Sequence, residues 1–223
     1  IAEVDTRALT RHLRETGAIM GVVSTEGLAP ERLVQMAKEA PSMEGQALAH
    51  EVSTGTAYGW SHPTMRWPED PALPPAELRV VAFDFGIKHN ILRCLRDEGI
   101  EVQVVPSDTP ADDVLSMKPD GIFLSNGPGD PAALPDVIEN LAELLRKAGD
   151  LPIFGICLGY QLLCLASGGQ TYKLKFGHHG GNHPVRDERT QKVAITAQNH
   201  GFAASLESLG SGAELTALNL FDR

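Results

Sequence analysis

The sequence is poor in several things that would each have pointed somewhere. It has only three cysteines in 223 residues, Cys94, Cys157 and Cys164. An odd, low count is not a disulfide framework and fits a reducing compartment. Aromatic residues make up just 5% of the chain. No apolar run approaches the roughly 20 residues that cross a bilayer, so a membrane span is not expected. Basic residues are outnumbered, 19 against 29 acidic, for a net charge of −10. They are scattered rather than gathered in a patch, which argues against nucleic acid as the main partner. There is no low-complexity tract, no internal repeat, and no basic-then-apolar leader at the N-terminus. The chain begins with Ile1 and ends at Arg223 straight after an apolar stretch, so both ends read as cut.

What is present is ordinary globular material, 42% hydrophobic and 22% charged. At roughly 150 residues per domain the length amounts to about one and a half domains. The character changes at Trp67-Pro68-Glu69-Asp70-Pro71-Ala72-Leu73-Pro74-Pro75, where four prolines predict a linker or extended crossing segment. Upstream, the patterns predict a helix over 6–15 ended by Gly17, a strand over 19–23, a helix over 30–39 with Pro30 in its first turn, and a weak strand over 51–60. Downstream the chain alternates. Strands are predicted over 79–85, 100–105, 121–125 and 152–156, and helices over 91–98, 111–117, 134–148 and 160–166. Continuous apolar strands alternating with helices imply an α/β fold, a mostly parallel open sheet with helices on both faces. After Gly168 shorter strands are expected, over 193–197 and 214–218.

The strongest chemical feature is Gly155-Ile156-Cys157-Leu158-Gly159-Tyr160-Gln161, at a predicted strand-to-helix junction. Glycines two before and two after Cys157 permit a sharp, crowded turn, as in the nucleophile elbow of hydrolases. The thiol would sit at a helix N-terminus, whose dipole favours thiolate. Cys94 and Cys164 lack such flanks and are assigned to the core. A second feature, Leu124-Ser125-Asn126-Gly127-Pro128-Gly129-Asp130-Pro131, follows another predicted strand. Its unshielded backbone N–H groups suit an oxyanion, although an ordinary turn needs the same residues. A third, Ala197-Gln198-Asn199-His200-Gly201-Phe202, offers amides and an imidazole. In the fourth, Gly177-His178-His179-Gly180-Gly181-Asn182-His183-Pro184, a glycine-rich loop with hydrogen-bonding histidines is expected. No metal site is assigned there, because no ligand pair has helical spacing and no Cys or carboxylate joins.

Together these segments resemble the small, glutaminase-subunit family of carbamoyl phosphate synthetases, within the class I glutamine amidotransferases, whose domain is flavodoxin-like. The Gly155–Gln161 elbow alone is common to all class I amidotransferases. The segments Asp84-Phe85-Gly86-Ile87-Lys88-His89-Asn90-Ile91 and Lys175–Pro184 make the likeness specific, and Ile1–Arg7 resembles part of the family's N-terminal domain. The resemblance implies residues 1–66 as the C-terminal part of a smaller α/β N-terminal domain, 67–77 as linker, and 78–223 as an amidotransferase domain cut short at its C-terminus. It implies Cys157 as nucleophile, with the backbone of Leu158 and Gly127 as the oxyanion hole. Gly127, Gly129, Leu158, Gln161, Asn199, Gly201 and Phe202 fall on the glutamine-binding positions.

The implied reaction is glutamine hydrolysis through a cysteine thioester. Ammonia then passes to a large subunit that uses ATP, Mg and bicarbonate, in the cytoplasm, for arginine and pyrimidine biosynthesis. No cofactor is implied in this subunit, and neither nucleic acid nor membrane is a partner. Two departures stand out. Tyr160 replaces the family's usual His, and the Gly-His-Pro-Glu segment that supplies the base and its orienting carboxylate is not found before Arg223. This chain alone is therefore expected to hydrolyse glutamine poorly. The alternatives are another class I amidotransferase, a non-catalytic homologue without the base and, more distantly, an α/β-hydrolase with a cysteine nucleophile.

Overall fold

The computed structural model describes residues 4–221; Ile1–Glu3, Asp222 and Arg223, and with them the first residues of the predicted N-terminal segment, lie outside the described residues. In chain order the elements are α1 (Thr6–Thr16), α2 (Pro30–Glu39), α3 (Leu48–Val52), β1 (Tyr58–Trp60), β2 (Leu78–Asp84), α4 (His89–Asp97), β3 (Ile100–Pro106), α5 (Ala111–Ser116), β4 (Gly121–Leu124), a 3₁₀ turn (Pro131–Ala133), α6 (Pro135–Lys147), β5 (Ile153–Gly155), α7 (Leu158–Ala166), β6 (Gln170–Asp187), β7 (Val193–Ser205), a second 3₁₀ segment (Leu206–Gly212) and β8 (Ala217–Asn219). They divide into two compact units, one of Gly45–Tyr172 with Phe202–Thr216, the other of Ile1–Glu44, Lys173–Gly201 and Ala217–Arg223.

The larger unit holds a five-stranded sheet in the order β1-β3-β2-β4-β5. β2 pairs parallel with both β3 and β4, and β4 pairs parallel with β5. Only β1 runs antiparallel, along β3. Alternation along the strands builds two cores. Val81, Phe83, Phe85, Val105, Ile122 and Leu124 face one way and pack with Val114 of α5, Leu141 and Leu144 of α6 and Leu162 of α7. Ala82, Val102, Val104 and Phe123 face the other way and pack with Leu92 of α4. A period of two with both faces covered is what a doubly wound sheet requires. The chain steps outward from β2 to β3, then returns across β2 to β4. Loops leaving the C-terminal ends of β2 and β4 therefore part in opposite directions, and the crevice between them is the usual ligand position of such folds.

The smaller unit carries α1, α2 and most of the three-stranded sheet β7-β6-β8, in which β8 runs antiparallel to β6. Asp5 caps α1, its carboxylate accepting from Ala8 N–H at 2.9 Å, and Gly17 ends it at φ 92°. Pro30 stands in the first turn of α2, whose predicted limits are met.

Several expectations fail. The strand predicted over 19–23 does not form; Val23 is 81% exposed and the stretch has no ladder partner among the described residues, leaving a pattern with nothing to pair against. Only 58–60 of the weak strand over 51–60 is strand, because Leu48–Val52 winds into α3 to bury Ala49 in the core. Of the strands after Gly168, β6 and β7 are long rather than short, 18 and 13 residues, whereas β8, where 214–218 was expected, is short at three residues, Ala217–Asn219. The expected 177–184 loop lies within β6, which absorbs its glycines at φ 73° for Gly177 and 129° for Gly180. Cys94 is exposed, not in the core. Leu92 takes the inward face of α4, and Cys94, two residues on, falls outside that face.

Candidate active site

The turn from β5 into α7 is as crowded as its glycines suggest. Cys157 sits at φ 54°, ψ −112°, a conformation costly for a residue with a Cβ, and is the N-cap of α7. Around it the backbone is tied down: Ile156 N–H donates to the Leu124 carbonyl at 3.0 Å, Gly159 N–H to the Ser125 carbonyl at 3.0 Å, and Gln161 N–H to the Cys157 carbonyl at 3.1 Å. A Cβ on Gly155 would stand 2.6 Å from the Gly159 carbonyl carbon and from Tyr160 N. One on Gly159 would overlap the Leu124 carbonyl. Glycine at both positions is thus a steric necessity of an elbow pressed against β4.

Two opposing effects act on the thiol. Burial is the larger and pushes its pKa above the ordinary value. Hydrogen bonds from the backbone of Leu158 and of Gly127, and the positive charge of Lys88, pull it down. The structure therefore brings Cys157, Leu158 and Gly127 together, with two backbone donors converging on one sulfur. Burial outweighs these donors and the Lys88 charge, so the thiol lies above its ordinary pKa rather than below it, as a helix N-terminus had suggested.

Gly127 belongs to the loop after β4. A Cβ there would collide with the Phe85 carbonyl and lie 2.8 Å from Leu158 Cδ2, so this glycine is what lets the loop touch the elbow. Ser125 is buried; its Oγ accepts from Phe85 N–H at 2.9 Å and donates to the Asn126 carbonyl at 2.9 Å. Asn126 ties the loop to the end of β2, donating to the Gly86 carbonyl at 3.0 Å and accepting from Lys88 N–H at 3.1 Å. Buried Asp84 holds the same turn through Gly86 N–H at 2.9 Å and Ile87 N–H at 2.8 Å. Its charge, after burial, also raises the pKa of Tyr58.

These supports, Asp84, Lys88, Ser125 and Asn126, are not among the site residues expected from the sequence. A signal for them exists, since the segments Asp84–Ile91 and Leu124–Pro131 stand out as motifs. Which side chains would bond the backbone depends on the pairing of β2 with β4.

Among the other predicted residues, Gly129 has φ 99° and lies against the Gln46 carbonyl. Gln161 is buried, and its Nε2 donates to the carbonyl of buried Phe202 at 2.7 Å, which joins α7 to the end of β7. Tyr160 is half-exposed, with its pKa raised mainly by burial. Asn199 and Gly201 belong to the smaller unit. There Asn199 Oδ1 pairs with His179 Nδ1 at 2.7 Å. In the same unit His178 Nδ1 meets His200 Nε2 at 3.3 Å, and Asn219 Nδ2 lies 3.3 Å from His178 and 3.4 Å from His183. Among the described residues no group of three or more His, Cys, Asp or Glu is placed to hold a metal ion.

Comparison with known proteins gives a consistent picture. The family model for glutamine amidotransferase class-I matches residues 81–223. The chain is 49% identical to the carbamoyl phosphate synthase small chain of Akkermansia muciniphila, over 100% of this chain and 58% of that one. It is 52% identical to the small chain of Syntrophotalea carbinolica, over 100% of this chain and 59% of that one. It thus spans less than two thirds of the length of these relatives. Among solved structures, a candidate GMP synthase component from Thermoplasma acidophilum superposes with a TM-score of 0.56 at 23% identity, covering 64% of this chain and 73% of that one, a likeness of fold. Its family match over most of its length, which includes the Cys157 elbow, places the chain in the class-I glutamine amidotransferase family.

Proposed function

We propose that this chain is the glutamine-hydrolysing part of a carbamoyl phosphate synthase small chain. The observation that carries the reading is the convergence of Leu158 and Gly127 backbone donors on Cys157 at a positive-φ elbow. The names of relatives about half identical along the whole chain support the choice within the family.

In the proposed reaction the Cys157 thiolate attacks the side-chain amide carbon of glutamine. Charge builds on the amide oxygen as the C–S bond forms, and the two N–H groups that now face the sulfur are placed to receive it. The C–N bond breaks, the leaving nitrogen takes the proton that the thiol gave up, and ammonia departs. Water then adds to the thioester and releases glutamate and the thiol. Gly129, Gln161 and Phe202 of the larger unit would bind the glutamine. The buried, partly donor-compensated thiol suits a nucleophile that is activated only with substrate in place.

Within the same proposal the ammonia goes to a large-chain partner, where ATP and Mg drive synthesis of carbamoyl phosphate for arginine and pyrimidine production. No cofactor is needed in this chain. Residues 1–66 belong to an N-terminal domain, of which α3 and β1 pack with the larger unit, 67–77 form a linker and 78–223 the amidotransferase domain. No helix among the described residues is long and apolar enough to cross a membrane; we place the enzyme in the cytoplasm.

The test is reconstitution. Large chain alone should make carbamoyl phosphate from ammonia. Adding the full-length small chain should confer dependence on glutamine, and Cys157→Ser should abolish that dependence while leaving the ammonia reaction. If glutamine dependence does not appear, or survives the substitution, the reading is wrong.

A further inference from the structure

The loop that carries Gly127 is held from one side by the end of β2, as described. It is also held from the other side, by residues that precede the family match at 81–223. Asp130 N–H donates to the Gln46 carbonyl at 3.0 Å, and Asp130 Oδ2 accepts from Gly45 N–H at 2.9 Å. The two bonds tie the loop to a strap, a turn 85 residues earlier in the chain. Gly129 fits beneath it only as glycine, since a Cβ there would stand 2.6 Å from the Gln46 carbonyl and 3.1 Å from Leu48 N. The strap is itself anchored. Ala49 of α3 is fully buried in the main core, Val52 packs against Gly86, and Thr54 N–H donates to Asp84 Oδ2 at 2.9 Å.

We propose that residues 45–48 are a clamp on the oxyanion loop, and that Asp130 is the positioning residue through which the clamp sets the Gly127 donor. This rests on the glutaminase reading. The two carboxylate oxygens have separate tasks. Oδ1 accepts from Ala132 N–H at 2.9 Å and caps the 3₁₀ turn. Oδ2 alone reaches Gly45. An oxyanion donor must lie within about 2.7–3.1 Å of the developing charge, so a loop freed on one side loses reaction rate before it loses fold.

Two variants separate clamp from cap. Asp130→Asn keeps one acceptor oxygen for Ala132 and presents an amide group, a donor, to the Gly45 N–H. Asp130→Ser keeps a capping hydroxyl too short to reach Gly45. Each is made in the full-length small chain assembled with its large chain. Cys157 modification is followed by mass spectrometry with 6-diazo-5-oxo-L-norleucine, which needs the glutamine pocket, and with iodoacetamide, which needs only an ionised thiol. Both variants should lose about tenfold in the norleucine rate and retain the iodoacetamide rate. Equal rates for variant and wild type with the norleucine reagent, or a parallel loss with both reagents, overturn the clamp. Failure of the norleucine reagent to modify the wild type would overturn the glutaminase reading instead.

Discussion

Replacing Gly159 by alanine adds one methyl group where the structure has no room for it. The new Cβ would overlap the Leu124 carbonyl and lie 2.7 Å from Leu124 Cβ. Carbon atoms in contact sit about 3.5–4.0 Å apart, so the start of α7 must retreat from β4 by about 1 Å. Overpacking of this kind costs about 1–3 kcal/mol. Alanine recovers up to about 1 kcal/mol of that through helix propensity. The net loss of stability is then about 0–3 kcal/mol, and the protein should remain folded. The Leu158 N–H, however, rides on the same turn and moves with it. A 1 Å misplacement of reacting groups costs about a hundredfold in rate.

The assay is the second-order rate of Cys157 modification by 6-diazo-5-oxo-L-norleucine, with urea unfolding measured in parallel. Gly168→Ala is the matched control. It lies just past the end of the same helix at φ 85° with open space around it, so strain of about 1 kcal/mol should appear without a change in rate. If Gly159→Ala reacts at the wild-type rate, the claim that contact with β4 sets the elbow is refuted.

Four further outcomes follow from the same structure. Because burial raises the Cys157 pKa, iodoacetamide modification of the substrate-free protein should keep accelerating above pH ~8.5, the usual thiol value; a plateau at lower pH would contradict this. The linked stability effect has a definite sign. It is nil below the unfolded thiol's pKa and becomes a loss as pH rises through the folded one, and Cys157→Ala should remove that loss in urea titrations. Asp84→Ala leaves the N–H groups of Gly86, Ile87 and Thr54 without their carboxylate acceptor and should cost roughly 2–4 kcal/mol in urea unfolding, against near neutrality for a surface acid such as Glu101. In the native state a bulky maleimide should modify Cys94 rapidly and Cys164 only after unfolding, and equal rates would show that one of them is misplaced.

The fold of the larger unit was readable because its strands are buried on both faces. Such strands must be almost wholly apolar, and Val80–Phe85 and Gly121–Leu124 announce themselves for that reason. The elbow was readable because steric crowding leaves glycine as the only solution at 155 and 159. Where surroundings decide, the pattern misled. The apolar run Ile19-Met20-Gly21-Val22-Val23 reads as a strand, but pairing, which makes a strand, comes from elsewhere. Residues 48–52 carried no clear helical signal and yet form one, since Ala49 fills a place in a core assembled from distant segments. The side-chain supports of the site were illegible for a related reason. Asn126 bonds Gly86 and Lys88 across 38–40 residues, and nothing local marks such a partner.

The two donors at the Cys157 sulfur belong to different βα junctions, 127 after β4 and 158 after β5. Parallel strands cannot be joined by a tight hairpin, so each pairing waits on a crossover and is slow to form. The site is consequently among the last things the chain can acquire during folding. No early compact state, however rich in helix, holds both N–H groups against that thiol. Acquisition of reactivity toward a glutamine-like electrophile thus times the closing of the sheet, and the Cys157 thiol stays untuned in the nascent chain until the fold around it is complete.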